Sequence, residues 1–311
     1  MRKRVLVATT LFVAGIMSFV SCCNHNEDIQ TTVPSIDRKA VQFSSNIVKM
    51  APATRAAGNT WDSNDFIGVY MLEKESTDVV EGMANVHYIT TAGGEAGKFV
   101  ANDEIIYFPD NGTEVRFMAY YPYTASVADY IYKVTVDDQS VQQAIDLLYS
   151  FNIEKSYEKT TSETVIPMAF DHQLTKIFVH VKAGAGLSSS DLEDINVYFS
   201  GLNTTADFYL KNGTLANFGN VANINLRSIA AKGGDYVASF ESIILPMETI
   251  LTDSKIVFTL ASGSEFVWNF DTVLNPSTKY IYNVTISRSG IEVEATINDW
   301  IDGGESTVDA E

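Results

Sequence analysis

The chain has 311 residues, 46% of them hydrophobic, which supports cores of real size and is enough for two domains of ordinary length. Its formal net charge of −18 at pH 7 gives a surface that repels nucleic-acid phosphates and anionic lipid headgroups, so a nucleic-acid partner is not expected and a membrane would not be held by a basic face. The only cysteines, Cys22 and Cys23, are adjacent, so no disulfide staples the fold and core packing must hold it together.

Arg2, Lys3 and Arg4 precede an apolar run from Val5 to Val20, too short and too poorly flanked for a comfortable membrane span, so residues 1–21 read as a secretory signal. The run ends in Phe19-Val20-Ser21-Cys22. A small residue before a cysteine resembles the lipobox of bacterial lipoproteins, with Phe19 where Leu is usual. That resemblance implies cleavage before Cys22 and acyl chains, palmitate among them, on its sulfur and new amino group; each buried CH₂ supplies about 0.8 kcal/mol of anchoring. The alternative is an ordinary signal peptide cut elsewhere. Loss of residues 1–21, which carry three basic and no acidic side chains, takes the charge from −18 to −21. Residues 22–39 form a polar tether. Its acidic Glu27-Asp28 resembles the surface-export signals of some Gram-negative anaerobes and equally suits a solvated linker.

From there the pattern is β. Ala40 to Lys49 reads as a strand with Val41, Phe43 and Ile47 toward a core. Met50 to Asn59 is small, with Pro52 and Gly58, and reads as an exposed loop. Phe66 to Leu72 is apolar on both faces, as in a buried sandwich strand. Ile105 to Phe108 and Val115 to Tyr121 flank Pro109-Asp110-Asn111-Gly112 and suggest a hairpin. Asp138 to Leu148 reads as a short helix with Val141, Ile145 and Leu148 on one side. Phe208 to Leu210, Asn212-Gly213 and Leu215 read as a second hairpin. In the last, Tyr280, Tyr282, Val284 and Ile286 alternate, Arg288-Ser289-Gly290 turns, and Ile291, Val293, Ala295 and Ile297 alternate again. Asn152 to Thr164 is polar and interrupts the strands. The expectation is an all-β chain with an N-terminal β-sandwich over 40–158 and a C-terminal β-sandwich with a tail over 159–311.

No reaction centre is legible. His25, His87, His172 and His180 have no zinc-ligand spacing, and strand histidines such as the last two are usually structural. No nucleophile elbow, phosphate loop or dinucleotide fingerprint occurs, and no cofactor or metal is implied. Asp137-Asp138 reads as a solvated turn, and Gly93-Gly94 and Gly303-Gly304 as flexible loops. Tyr120, Tyr121 and Tyr123 offer a sugar platform or, more in keeping with a sandwich, cross-strand packing. Asp271-Thr272-Val273 resembles an O-glycosylation acceptor of some Gram-negative anaerobes, at Thr272.

Taken in order, several short segments resemble the fimbrillins, the subunits of type V pili. They are Val41-Gln42-Phe43-Ser44 with Thr54-Arg55-Ala56, Trp61 through Asp65-Phe66-Ile67-Gly68-Val69-Tyr70, and Ile106-Tyr107-Phe108-Pro109 leading to Phe117-Met118-Ala119-Tyr120-Tyr121-Pro122. Asp146-Leu147-Leu148-Tyr149, Phe170-Asp171-His172-Gln173-Leu174-Thr175-Lys176, and Gly290-Ile291-Glu292-Val293 through Trp300 and Gly303-Gly304 complete the series. Asn64 stands where the family usually has Gly. The resemblance implies two tandem transthyretin-like β-sandwiches, no enzyme activity, export as an outer-membrane lipoprotein precursor, cleavage between Arg55 and Ala56, and polymerisation with other fimbrillin-type subunits by strand exchange. Two donor segments stay open: the alternating strand from Ile291 to Ile297 with Trp300 as an added anchor, and residues 298–311. The alternative function is a monomeric surface lipoprotein that binds a host or bacterial glycan through exposed aromatics.

Overall fold

In the computed structural model, residues 38–47, 60–161, 165–249 and 251–299 are described. Seventeen strands are among them, with one helical turn and one 3-10 turn. In chain order the first eight strands are β1 (Gln42–Ile47), β2 (Phe66–Glu73), β3 (Val86–Thr90), β4 (Ala96–Ala101), β5 (Val115–Tyr121), β6 (Ile131–Thr135), β7 (Leu148–Phe151) and β8 (Val165–His172). All but β6 close a barrel in the order β1-β4-β3-β2-β5-β7-β8. Every pairing in it is antiparallel except β1 with β8, which run parallel. A parallel pair needs a long connection; here the rest of the barrel supplies it.

The remaining strands are β9 (Thr175–Ala183), β10 (Asn196–Tyr209), β11 (Thr214–Asn225), β12 (Arg227–Ile229), β13 (Tyr236–Ile244), β14 (Lys255–Thr259), β15 (Glu265–Asn269), β16 (Thr278–Ser287) and β17 (Gly290–Asp299). They form two sheets. One runs β11-β10-β14-β15, with β6 pairing the far half of β10; the other runs β12-β13-β9-β16-β17. Phe199, Phe208 and Phe258 of the first share a core with Ile177, Val179, Tyr280, Tyr282 and Val284 of the second, so the two sheets form a sandwich. The barrel has its own core, around Phe43, Trp61, Tyr88, Phe99, Phe117 and Phe170.

The sheets do not divide at residue 158. β7 and β8, on either side of the polar stretch 152–164, both belong to the barrel, while β6 lies in the sandwich. Barrel and sandwich both fall within the single compact unit Arg38–Glu311.

Local patterns hold where they govern neighbours in the chain. Val41, Phe43 and Ile47 are buried, β2 is buried on both faces, and β16 and β17 form the expected hairpin. The β10–β11 turn places Gly213 at a φ of 66°, which suits a residue without a side chain. Three expectations fail. Residues 105–108 do not pair with β5; Ile106 and Phe108 exchange backbone hydrogen bonds with Val41 and Lys39 instead. The helix over 138–148 shrinks to α1 (Gln142–Ile145), because Asp138 caps a turn at Ser140 and Leu148 already belongs to β7. Gly93-Gly94 is a docked turn, not a free loop. Gly94 pairs with Trp61, and a Cβ on Gly93 would lie 2.7 Å from the Trp61 carbonyl oxygen.

Candidate functional site

The most distinctive local arrangement is the slot that holds β1. Its hydrogen-bond partners are β4 on one side and β8 on the other, with Ser45 opposite both Gly97 and Met168. Inward side chains alternate, as a pleated strand requires: Val41, Phe43, Ser45 and Ile47 are all buried. Phe43 meets the edges of Tyr88 and Phe117 at ring distances of 5.0 and 5.1 Å. The Tyr88 hydroxyl donates to the Val41 carbonyl and accepts from the Ile106 amide, and burial pushes its pKa up to about 12, so it stays neutral.

Val41, Phe43 and Ile47 together account for about 1.5–3 kcal/mol each of burial. That sum is comparable with the whole net stability of an ordinary domain. A cut in the chain after β1 would therefore leave the strand seated until another replaced it.

The fit is imperfect at one place. Trp61 packs edge-on against Phe99, Tyr121 and Phe170 at 5.0–5.5 Å. It presses so close to β4 that a Cβ on Gly97 would lie 2.8 Å from its Cδ1. Its Nε1 has no acceptor, and the buried Ser45 Oγ has no partner either. A buried polar group left unpaired costs about 1–3 kcal/mol.

Beyond the end of β1 lies a cavity of about 160 Å³. Ile47 and Thr60, which border the segment carrying Arg55, both line it. So do Asp65, Asp146, Lys176 and Glu241. Lys176 Nζ donates to Glu241 at 2.7 Å and to Gln142 at 2.7 Å; burial lowers its pKa, against the pull of Glu241. Arg227 also reaches Glu241, and His172 lies 2.8 Å from Asp146. Gln139 exchanges hydrogen bonds with the Ile243 backbone. Asp65 accepts from the Tyr121 hydroxyl at 3.1 Å, and burial raises its pKa. This network joins α1 and β8 to the sandwich. Sequence reasoning missed it: a buried Gln or Lys has no periodic signature, and only the unusual apolar flanks of Lys176 hint at burial.

The other sequence-derived positions are spread out. Cys22, Arg55, Ala56 and Trp300 lie outside the described residues. Ile291 and Val293 of β17 pack half-buried on the sandwich core, whereas Ala295 is exposed and Ile297 is 56% exposed. Thr272 is half-buried between β15 and β16. Tyr120 and Tyr121 are buried and give no open platform. Tyr123 stacks on His87 at 4.1 Å, and His180 is held by Ser239 at 2.8 Å. Asn64 has a φ of 73°, a conformation that Gly or Asn accepts most readily. Among the described residues no group of His, Cys, Asp or Glu is placed to hold a metal ion, and no helix is long and apolar enough to cross a membrane.

A barrel closed by its own first strand, joined to a sandwich that ends in an edge strand, defines an all-β protein whose distinctive features are strand slots and sheet edges. The chain belongs to the fimbrillin-like family, whose model matches residues 54–300. It is 31% identical, over the full length of both chains, to a candidate fimbrium subunit, Fim1C, of Bacteroides uniformis. A crystal structure of a candidate cell adhesion protein from Bacteroides uniformis superposes with a TM-score of 0.69 at 29% identity, covering 86% of this chain and 99% of that one. One from Bacteroides ovatus has the same fold, with a TM-score of 0.67 at 20% identity and the same coverage.

Proposed function

We propose that the protein is a structural and adhesive subunit of a cell-surface fimbrium, without enzyme activity, that polymerises by exchanging β1 for a strand of another subunit. The observation that carries this reading is the place of β1, which closes the barrel between β4 and β8 just before the segment that bears Arg55. Cleavage between Arg55 and Ala56 cuts β1 from the rest of the barrel. Its departure bares two rows of backbone donors and acceptors and an apolar groove, and a strand from another subunit restores both. The family match, beginning at Thr54, leaves β1 outside it, which supports the same division.

The precursor reaches the outer membrane as a lipoprotein carried on Cys22, and its partners are fimbrillin-type subunits, like or unlike itself. Ile291, Val293, Ala295 and Ile297, with Trp300, are the proposed donor. The barrel and sandwich correspond to the two domains of the family, with the cell surface as the site of action. Thr272 is the position to inspect for an attached glycan by intact mass.

The test is limited cleavage of the full chain by an arginine-specific protease, followed by size analysis and electron microscopy. Cut wild-type protein should give a ladder of stable oligomers or filaments, and Arg55→Ala should stay monomeric. A cut protein that remains monomeric at high concentration would overturn the reading. Saturable oligosaccharide binding by that monomer would favour the glycan-binding alternative, which would then rest on the surface stack of Phe66, His87 and Tyr123.

A further inference from the structure

We infer that the cavity between the β10–β11 hairpin and the chain that follows β13 is a binding site for a neutral oligosaccharide, with Phe218 as the platform for one sugar ring. The inference goes beyond the fimbrium reading and holds whether or not the chain polymerises. It names a place separate from the stack of Phe66, His87 and Tyr123.

The cavity has a volume of about 540 Å³, within the usual range of small-molecule sites. The backbone of β11 builds one wall. Leu215 pairs with Phe208 of β10, and Leu215 and Phe218 both line the cavity. Residues three apart on a regular strand point to opposite faces. A bulge resolves the conflict. Thr205 pairs with Gly219 and Asp207 with Ala216, so β11 carries one extra residue here. Asn217, inside the bulge, has a φ of 54°, which Asn accepts more readily than most residues. The extra residue re-aims Phe218 to the side of Leu215. Phe218 is 42% exposed, so a ligand can reach its ring from solvent.

The rest of the lining is held in place before any ligand arrives. Met247 exchanges two backbone hydrogen bonds with Leu274, at 2.8 and 3.0 Å. The Gln173 amide donates to the Leu147 carbonyl, and its side-chain Nε2 donates to the Asp171 carbonyl at 2.8 Å. A pre-formed site lowers the ordering cost of binding.

The chemistry of the lining selects the ligand. Phe208, Leu215, Met247 and Phe218 supply apolar surface, and Gln173 and Glu248 supply polar groups. A pyranose ring is divided in the same way, with C–H groups on a face and hydroxyls around its edge. The negative face of an aromatic ring attracts those C–H groups. A side-chain amide both donates to and accepts from hydroxyls, and a carboxylate accepts from two of them. A wholly apolar ligand would leave these polar groups without compensation. Charge excludes an acidic ligand. Glu248 is the one charged residue among the described residues that line the cavity, and residues 212–226 carry no ionisable side chain. A sialylated, sulfated or phosphorylated sugar would find no cation in the lining, on a chain whose net charge is −18.

The experiment uses the uncut full chain, so its outcome is separate from that of the cleavage test. Neutral trisaccharides of glucose, galactose, N-acetylglucosamine and fucose units are arrayed beside sialylated and sulfated counterparts, and the best binder is titrated by calorimetry. At least one neutral trisaccharide should bind saturably, and its acidic counterpart at least tenfold more weakly. Phe218→Ala should weaken binding at least tenfold with the melting temperature unchanged, whereas Phe218→Tyr should retain it. Glu248→Gln, at an exposed position, should also weaken binding, and Tyr123→Ala should bind like wild type. Failure of every trisaccharide to bind overturns the inference. Equal binding of the acidic counterpart overturns it too, as does undiminished binding by Phe218→Ala. Loss of binding in Tyr123→Ala places the ligand on the other stack and contradicts the site. If Phe218→Ala does not fold, Glu248→Gln decides, and undiminished binding by that variant overturns the inference.

Discussion

β1 and β17 are both alternating strands at the margins of the chain, yet they are held in opposite ways. β1 is bonded along both edges, and its three inward side chains, with Val41 just before them, are buried. β17 is bonded along one edge, and half of its alternate apolar row faces solvent. The difference teaches that local sequence pattern does not set how firmly a strand is held; the number of neighbours does. It also shows a mismatch in quality. The well-held strand has an unpartnered hydroxyl at Ser45, and the loosely held one has an exposed isoleucine at 297.

The largest effect expected from this contrast is at Phe43. Phe43→Ala empties the centre of the barrel and should destabilise the uncut protein by about 3–5 kcal/mol in chemical denaturation. Ile297→Ala should change it by no more than about 0.5 kcal/mol, because that side chain is exposed in the monomer. Equal losses at the two positions would break the comparison.

The junction between barrel and sandwich can be probed at Glu241. Glu241→Ala leaves the buried Lys176 without its carboxylate partner, and breaking such a pair costs about 3–5 kcal/mol when both groups are fully buried. Glu241 keeps slight exposure, with 12% of its side-chain surface accessible, so the loss should fall at or below the low end of that range. Thermal melting of the variant reads it directly. A smaller effect of the opposite sign is expected at Ser45. Ser45→Ala removes a buried hydroxyl without a partner and should stabilise the uncut protein by about 1 kcal/mol. After cleavage it should also slow exchange, since the resident strand is then better seated.

The smallest expected effect is a slope with pH. Burial raises the Asp65 pKa above its ordinary 3.8. The folded state therefore holds that proton more tightly than the unfolded chain. The resulting stabilisation is fully present below pH 3.8 and is lost as pH rises through the folded pKa. Asp65→Asn should remove this component, so the difference in melting temperature between variant and wild type should change across that interval and be flat above it.

The strands set by local alternation were legible in sequence: 41, 43 and 47; both faces of 66–72; and the hairpin from Tyr280 to Ile297. The turn at Asn212-Gly213 was legible because few residues accept that backbone conformation. What local pattern could not reveal was long-range pairing. The parallel contact of β1 with β8 joins Gln42 to Val165, and β6 crosses to pair with β10, from Tyr132 opposite Phe208. The segment 105–108 looked like half of a hairpin, but its amides and carbonyls go to residues 39–41. In the candidate site, Val41, Phe43 and Ile47 were legible as a core-facing row. The close approach of Trp61 to Gly97, opposite Ser45, was not, because these residues meet only in the fold.

The central claim is that β1 is a replaceable strand, and the mass of assembled oligomers tests it most directly. The full chain, cut after Arg55 and allowed to assemble, should be weighed intact under non-denaturing conditions. Each added subunit should have lost the fragment that ends at Arg55, with at most one fragment retained per oligomer. Oligomers in which every subunit keeps its fragment would show that β1 stays in its slot, and would contradict the account.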